Sequence, residues 1–321
     1  MLLLSVALAS YAVLSSVGSL VAMAIWRSGA LAGLDSPGLR ARRLVMLRAL
    51  PAVAAAALLA IVVMPAVLLF EPDHEFEAVG PAFTALATLG AALLTSGAVT
   101  AAVSAFATWR AERAWLRSAQ RLDFDPPAGV PAYAVDSFAP AIALVGVFAP
   151  KLIAAREVVD ACDRHELANI VAHERGHLHA KDNLKRWLMA AAPDALRWTP
   201  LHHAIALAWD DAAEDAADDA ATAGKAIARM DLAALLIKVA RLSPDSSFTA
   251  ATVSPFIERD RLDRRVRRLL SASPGPRPSR STAFQPLLSA GLGASVLSVL
   301  SNPSALQVVH EMVEAMVAFG R

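Results

Sequence analysis

AVGPAFTALATLGAALLTSGAVTAAVSAFATW, residues 78–109, runs from an acidic stretch to an arginine cluster without one charged side chain. Crossing about 30 Å of hydrocarbon takes roughly 20 apolar residues at about 1.5 Å of helical rise each. Leu2–Trp26, Ala49–Phe70 and Ser281–Val309 are uncharged as well. Uncharged runs of this length predict four membrane spans, over about 2–26, 49–70, 79–109 and 281–309. The first has no Lys or Arg before it and is longer than the apolar core of a secretory signal, so it reads as a retained helix.

Composition agrees. Of 321 residues, 56% are hydrophobic and 18% charged, where an ordinary globular domain has about 45–50% and about 25%. That excludes intrinsic disorder. A formal net charge of +1 gives no reason to expect nucleic-acid binding. One cysteine, Cys162, excludes an intrachain disulfide and a Cys-rich zinc site, so any metal must be held by His, Asp or Glu.

Charges flanking the spans set an orientation. Arg27, Arg40, Arg42, Arg43 and Arg48 lie between the first two spans against Asp35 alone. Glu71, Asp73, Glu75 and Glu77 separate the second and third. Arg110, Arg113, Arg117 and Arg121 follow the third, and Arg264, Arg265, Arg267, Arg268, Arg277 and Arg280 precede the fourth. One threading satisfies all of these: a multi-pass cell-membrane protein with both termini extracytoplasmic and residues 110–280 cytoplasmic. Residues 310–321 then form a short extracytoplasmic tail.

Within 110–280 the expected elements are a charged helical continuation of the third span to about residue 125, stopped by Pro126-Pro127, then short strands at 132–135, 141–147 and 151–153. Asp163 and Glu166 form a capping-box pattern that opens a helix to about Ala180. Further helices are expected at about 183–192, 201–222, 225–242 and 259–270. Residues 243–256 read as a loop and 271–282 as a Pro/Ser linker. Most acids of 210–219 read as a solvated helix face. The arginines of 259–280 read as juxtamembrane charge facing anionic lipid.

Inside the expected helix stands His173-Glu174-Arg175-Gly176-His177. Residues i and i+4 share a helix face, so both imidazoles can bind one zinc ion, with Glu174 beside it as a general base. With 8 His in the chain, chance rarely produces the pattern. Gly176 costs helix propensity, about 1 kcal/mol against Ala, which points to another backbone passing close by. A catalytic zinc wants a third protein ligand and an open position. Spacing alone leaves Glu214 and its neighbouring Asp residues open for that role. Asp218, one turn on, and Asp182 are placed to orient the ligands. His165 and His179 read as surface residues. His202 and His203 are weighed as oxyanion stabilisers against a helix-start role.

The segment from about Val145 to Ala220 resembles the BlaR/MecR-type membrane metallopeptidases, the antirepressor family of beta-lactam sensing. The matching features run in order: Gly146–Ile153 as the strand before the active helix; Glu166-Leu167, the His173–His177 motif and Asp182; Trp198-Thr199-Pro200 as a Trp-x-Pro turn; Glu214-Asp215-Ala216-Ala217-Asp218 as an E-x-x-x-D helix; and Arg265-Val266-Arg267-Arg268-Leu269-Leu270 as an Arg-Val-x-x-Leu-Leu segment. The resemblance implies His173, His177 and Glu214 as ligands of one zinc ion. It also implies a mainly α integral membrane fold in which a cytoplasmic α+β zincin-like domain lies between spans three and four. Those sensors continue into a large extracellular penicillin-binding domain, whereas this sequence ends at Arg321, so the resemblance does not extend to beta-lactam sensing. HtpX-like quality-control proteases share the Glu214-x-x-Ala217-Asp218 pattern. The Trp198–Pro200 turn and the place of the fourth span favour the first family.

The expected function is zinc-dependent endoproteolysis in signalling, of a transcriptional repressor or another membrane-proximal protein, with the strand near 141–147 offering an edge to the substrate. The alternative is a non-catalytic, zinc-stabilised signalling or scaffold protein, which would not need Glu174. The sequence leaves open the stimulus, the scissile bond, self-cleavage and the oligomeric state, a homo-oligomer included.

Overall fold

The computed structural model describes residues 2–31, 36–70, 80–122, 129–136, 141–242, 253–255, 259–271 and 302–318. Three helices are long and apolar enough to cross a membrane: α1 (Leu2–Arg27), α2 (Pro37–Phe70) and α3 (Pro81–Trp115). The helix α2 starts twelve residues before the second uncharged run, so Arg40, Arg42, Arg43 and Arg48 stand on a helix rather than in a loop. Its turn Leu59–Val63 widens to a π-helix just ahead of Pro65, which has no N–H to close an α-helical bond to the carbonyl four residues back. The helix α3 ends at Trp115 and not near 125.

Small residues let the spans approach closely. Gly18 packs on Pro51, and Gly90 meets the Leu8 backbone with no room for a side chain. The long helices also pack on the middle segment, both within the uncharged runs, where Tyr11 donates to the Pro193 carbonyl and Gly97 meets Ala191, and beyond them. Ala22 of α1 and Ala41, Leu44 and Leu47 of α2 share a core with Met189, Leu196, Ile205 and Trp209.

A five-stranded sheet follows: β1 (Gln120–Arg121), β2 (Ala132–Val135), β3 (Ile142–Val145), β4 (Lys151–Ala155) and β5 (Val253–Pro255), in the order β1-β2-β4-β3-β5. Only β2 and β4 run parallel. The strands expected at 132–135 and 151–153 are present. The expected edge strand, β3, is not an edge, because β5 pairs with Ala143–Val145 from a segment expected to be loop.

Seven more helices are described: α4 (Arg156–Ala161), α5 (Arg164–Ala180), α6 (Asp182–Ala191), α7 (Pro200–Thr222), α8 (Ala226–Leu242), α9 (Arg259–Leu270) and α10 (Pro303–Ala318). A 3₁₀ turn, Ala195–Trp198, leads into α7. Ile142, Leu152, Val158, Ile170, Leu236 and Leu269 form the core between the sheet and helices α5, α8 and α9. The fourth expected span lies outside the described residues over 281–301. The helix α10 starts within its expected last turns and continues past 309. Its Leu306, Val313 and Val317 pack against Val62, Val63 and Val67 of α2 and Val6 of α1.

Two charge readings are corrected. Asp210, Asp211, Asp215, Asp218 and Asp219 of α7 are not a solvated face. They pair with Arg186 of α6 and with Arg261, Arg264, Arg265 and Arg268 of α9. Those four arginines are therefore spent on α7, and Arg267 alone among the described α9 arginines with a placed side chain pairs outward, with Asp263. Residues 272–282 of the expected linker lie outside the described residues.

Candidate metal centre

The helix α5 opens as its capping box requires. The Glu166 backbone N–H donates to Asp163 Oδ1 at 2.8 Å, and the Asp163 N–H donates to Glu166 Oε2 at 2.9 Å. From that start, His173, Glu174 and His177 fall on the buried side. The helix breaks at Lys181, whose left-handed backbone (φ 56°) turns the chain and places Asp182 at the head of α6 facing back to His177. Asn183 fixes that corner by donating to the carbonyls of Leu144 and Gly146 at 2.9 and 3.0 Å.

The helix α7 crosses α5 at Gly176. A Cβ there would sit 3.0 Å from Ala217 Cα and 3.2 Å from Ala217 Cβ. The close backbone that the glycine implied is thus that of α7, and the contact brings Glu214 and Asp218 over the two histidines.

The Nε2 atoms of His173 and His177 are 3.1 Å apart. Glu214 straddles them, Oε2 lying 3.5 Å from His173 Nε2 and Oε1 3.5 Å from His177 Nε2. One donor atom from each of the three lies within 4.8 Å of the others. In a tetrahedral zinc site with bonds of about 2.0–2.2 Å, neighbouring donors stand about 3.3–3.6 Å apart. The spacing fits such an ion to within a few tenths of an ångström. Both ring Nδ1 atoms face carboxylates: His173 Nδ1 is 3.0 Å from Asp218 Oδ1, and His177 Nδ1 is 2.9 Å from Asp182 Oδ2. Each carboxylate fixes a tautomer that points Nε2 at the common centre. A further observation favours the fit: neither carboxylate oxygen of the fully buried Glu174 has a hydrogen-bond partner among the described residues. A buried carboxylate left this way is costly unless it serves a bound group.

The electrostatics are those of a crowded, buried site. Burial raises the Glu174 carboxyl above its ordinary value against the pull of the two histidines. Burial opposes charge on His177, yet the Glu214 and Asp182 carboxylates outweigh it and lift the imidazole to about 10. Burial likewise opposes ionisation of Glu214 and Asp218. Arg265 and the histidines prevail, holding Glu214 well below the usual range and Asp218 at about 2.

Arg265, which the sequence presents only as flanking charge and as part of the Arg-Val-x-x-Leu-Leu segment, lies 3% exposed between those carboxylates. A cavity of about 310 Å³ opens beside His177, lined among others by Leu144, Gly146, Val147, Phe148, Leu178 and Asp182. His202 is not at the site. Its Nδ1 accepts from Arg48 Nε at 2.9 Å, where burial and that arginine lower its pKa to about 4, and so it holds the start of α7 to α2. His165 and His179 are exposed, as expected.

Residues 137–269 match the model of one protein family, the BlaR1 peptidase M56. The match bears out the resemblance to BlaR/MecR-type peptidases over that segment. Neither the curated proteins nor the solved structures give a match.

Proposed function

We propose, taking residues 137–269 as a peptidase segment of the BlaR/MecR type, that this protein is a membrane-anchored zinc endopeptidase. The observation that carries the reading is Glu174: a fully buried, unpartnered carboxylate next to three converging donors. A structural site has no use for such a group; a hydrolytic one needs a base there.

His173, His177 and Glu214 would hold the ion, and Asp218 and Asp182 hold the two imidazoles in orientation. When bound, zinc would polarise the scissile carbonyl and acidify a water. Glu174 takes the proton of the attacking water and delivers it to the leaving amine. The raised pKa that burial gives this carboxyl suits it to carry a proton between the two steps. The cavity beside His177 takes a substrate side chain next to the cleaved bond. An extended substrate can pair with β3 only in place of β5, or else add to β5 itself.

The flanking charges support a cytoplasmic peptidase segment with both termini outside. That places the site within reach of a cytoplasmic or membrane-proximal protein substrate, a transcriptional repressor being one such class. Comparing all new protein N-termini in cells making the wild type and cells making Glu174→Ala tests this. Termini that appear only with the wild type are expected, and they would name substrate and bond together. Identical sets of termini would favour a zinc-stabilised scaffold instead.

A further inference from the structure

We propose that Arg265 of α9 is a positioning residue for the metal centre, holding two of the groups that shape it with one guanidinium. The inference rests on the metalloprotease reading above. Arg265 Nη1 lies 3.0 Å from Glu214 Oε2, an ion pair. Its Nη2 and Nε donate to Asp218 Oδ1 and Oδ2 at 2.6 and 3.1 Å, a two-pronged grip on that carboxylate. Asp218 Oδ1 in turn lies 3.0 Å from His173 Nδ1. One side chain therefore fixes Glu214 directly and His173 through Asp218.

The physical need is plain from the charges. Glu174, Asp182, Glu214 and Asp218 are all buried around two imidazoles. Glu214 and Asp218 sit one helical turn apart on α7, where like charges repel. A fixed cation between them keeps both ionised and stops each from rotating away. Only a guanidinium has the planar fork to serve two carboxylates at once; a lysine is a point charge on a flexible stem. Arg268, three residues on, makes different contacts. Arg268 grips Asp219 at 2.6 Å and approaches Asp215, so it docks α9 on α7 without touching Glu214 or Asp218.

Zinc affinity of the metal-free full-length chain in detergent, measured by competition with a chelator, tests the assignment. Arg265→Gln is expected to weaken zinc binding about 10- to 100-fold, the range for losing an outer partner of a ligand. Arg268→Gln, which loosens the same helix pair, is expected to stay within about 3-fold of the wild type, since surface-proximal ion pairs are weak. Cobalt in place of zinc gives a second readout: the visible ligand-field spectrum should change with Arg265→Gln and not with Arg268→Gln. Should Arg265→Gln fail to fold, Arg265→Lys, which keeps the charge and loses the fork, is expected to recover only part of the affinity. Wild-type affinity in Arg265→Gln or Arg265→Lys, or an equal loss in Arg268→Gln, overturns the positioning role. Absence of zinc binding by the wild type overturns the metal-centre reading and this inference together.

Discussion

Gly176→Ala puts a methyl group where α5 and α7 touch. The new Cβ would stand 3.0 Å from Ala217 Cα and 3.2 Å from its Cβ. Carbon atoms rest at about 3.5–4.0 Å, so the helices must separate by roughly 0.5–1 Å. Overpacking of this kind costs about 1–3 kcal/mol, and the gain in helix propensity returns about 1 kcal/mol. Net stability should therefore fall by only about 0–2 kcal/mol. The metal centre is less forgiving. Its histidines ride on α5 and Glu214 on α7, while ligand distances must hold to within about 0.2 Å. Zinc affinity should fall at least about tenfold, equivalent to about 1.4 kcal/mol. Chelator competition gives the affinity, and thermal unfolding of the metal-free protein gives the stability. Wild-type zinc affinity in Gly176→Ala would refute the claim that this contact sets the spacing of the site.

Other consequences are open to measurement. Asp182→Asn and Asp218→Asn should each weaken zinc binding by about 10- to 100-fold, because each frees the Nδ1 of one histidine; chelator competition checks this. The raised pKa of His177, about 10, means its share of metal-free stability is fully present below about 6.5 and is lost as pH rises through about 10. Asp218 acts in the opposite sense: its share is present above about 3.9 and is lost as pH falls through about 2. Zinc binding at pH 8 should accordingly release protons, detectable by calorimetry in buffers of different ionisation enthalpy. Arg48→Met should destabilise the fold by about 3–5 kcal/mol, since it leaves Asp194, whose pKa burial already raises, without its partner at 2.6 Å; thermal unfolding in detergent reads the loss.

Much of this architecture is legible in the sequence because it rests on local rules. Uncharged runs give three of the four expected spans as long apolar helices, the cap at Asp163 falls where cap chemistry places it, and α7 stops just ahead of Gly224; the break after the motif helix is made by Lys181 in a left-handed conformation that no local rule singles out. The two-residue strand β1 and the three-residue strand β5 are too short to carry a periodic signal, and only pairing with distant partners makes them strands. The charged residues are where reading along the chain fails. Asp210, Asp211 and Asp215 look solvated, and Arg261 and Arg264 look lipid-facing, until α9 is laid on α7 and each finds the other. Arg48 looks like a loop charge and is fully buried against Asp194, a residue with no local signal at all. Gly176 was informative because its cost in a helix demands a compensating contact, though only the structure names Ala217 as that contact.

Zinc content per chain and cleavage of a substrate, measured side by side in the wild type and in Glu174→Ala, test the central claim most directly. One zinc in both proteins, with cleavage confined to the wild type, is the predicted result. Cleavage that survives in Glu174→Ala, or a wild type that carries no zinc, would contradict it.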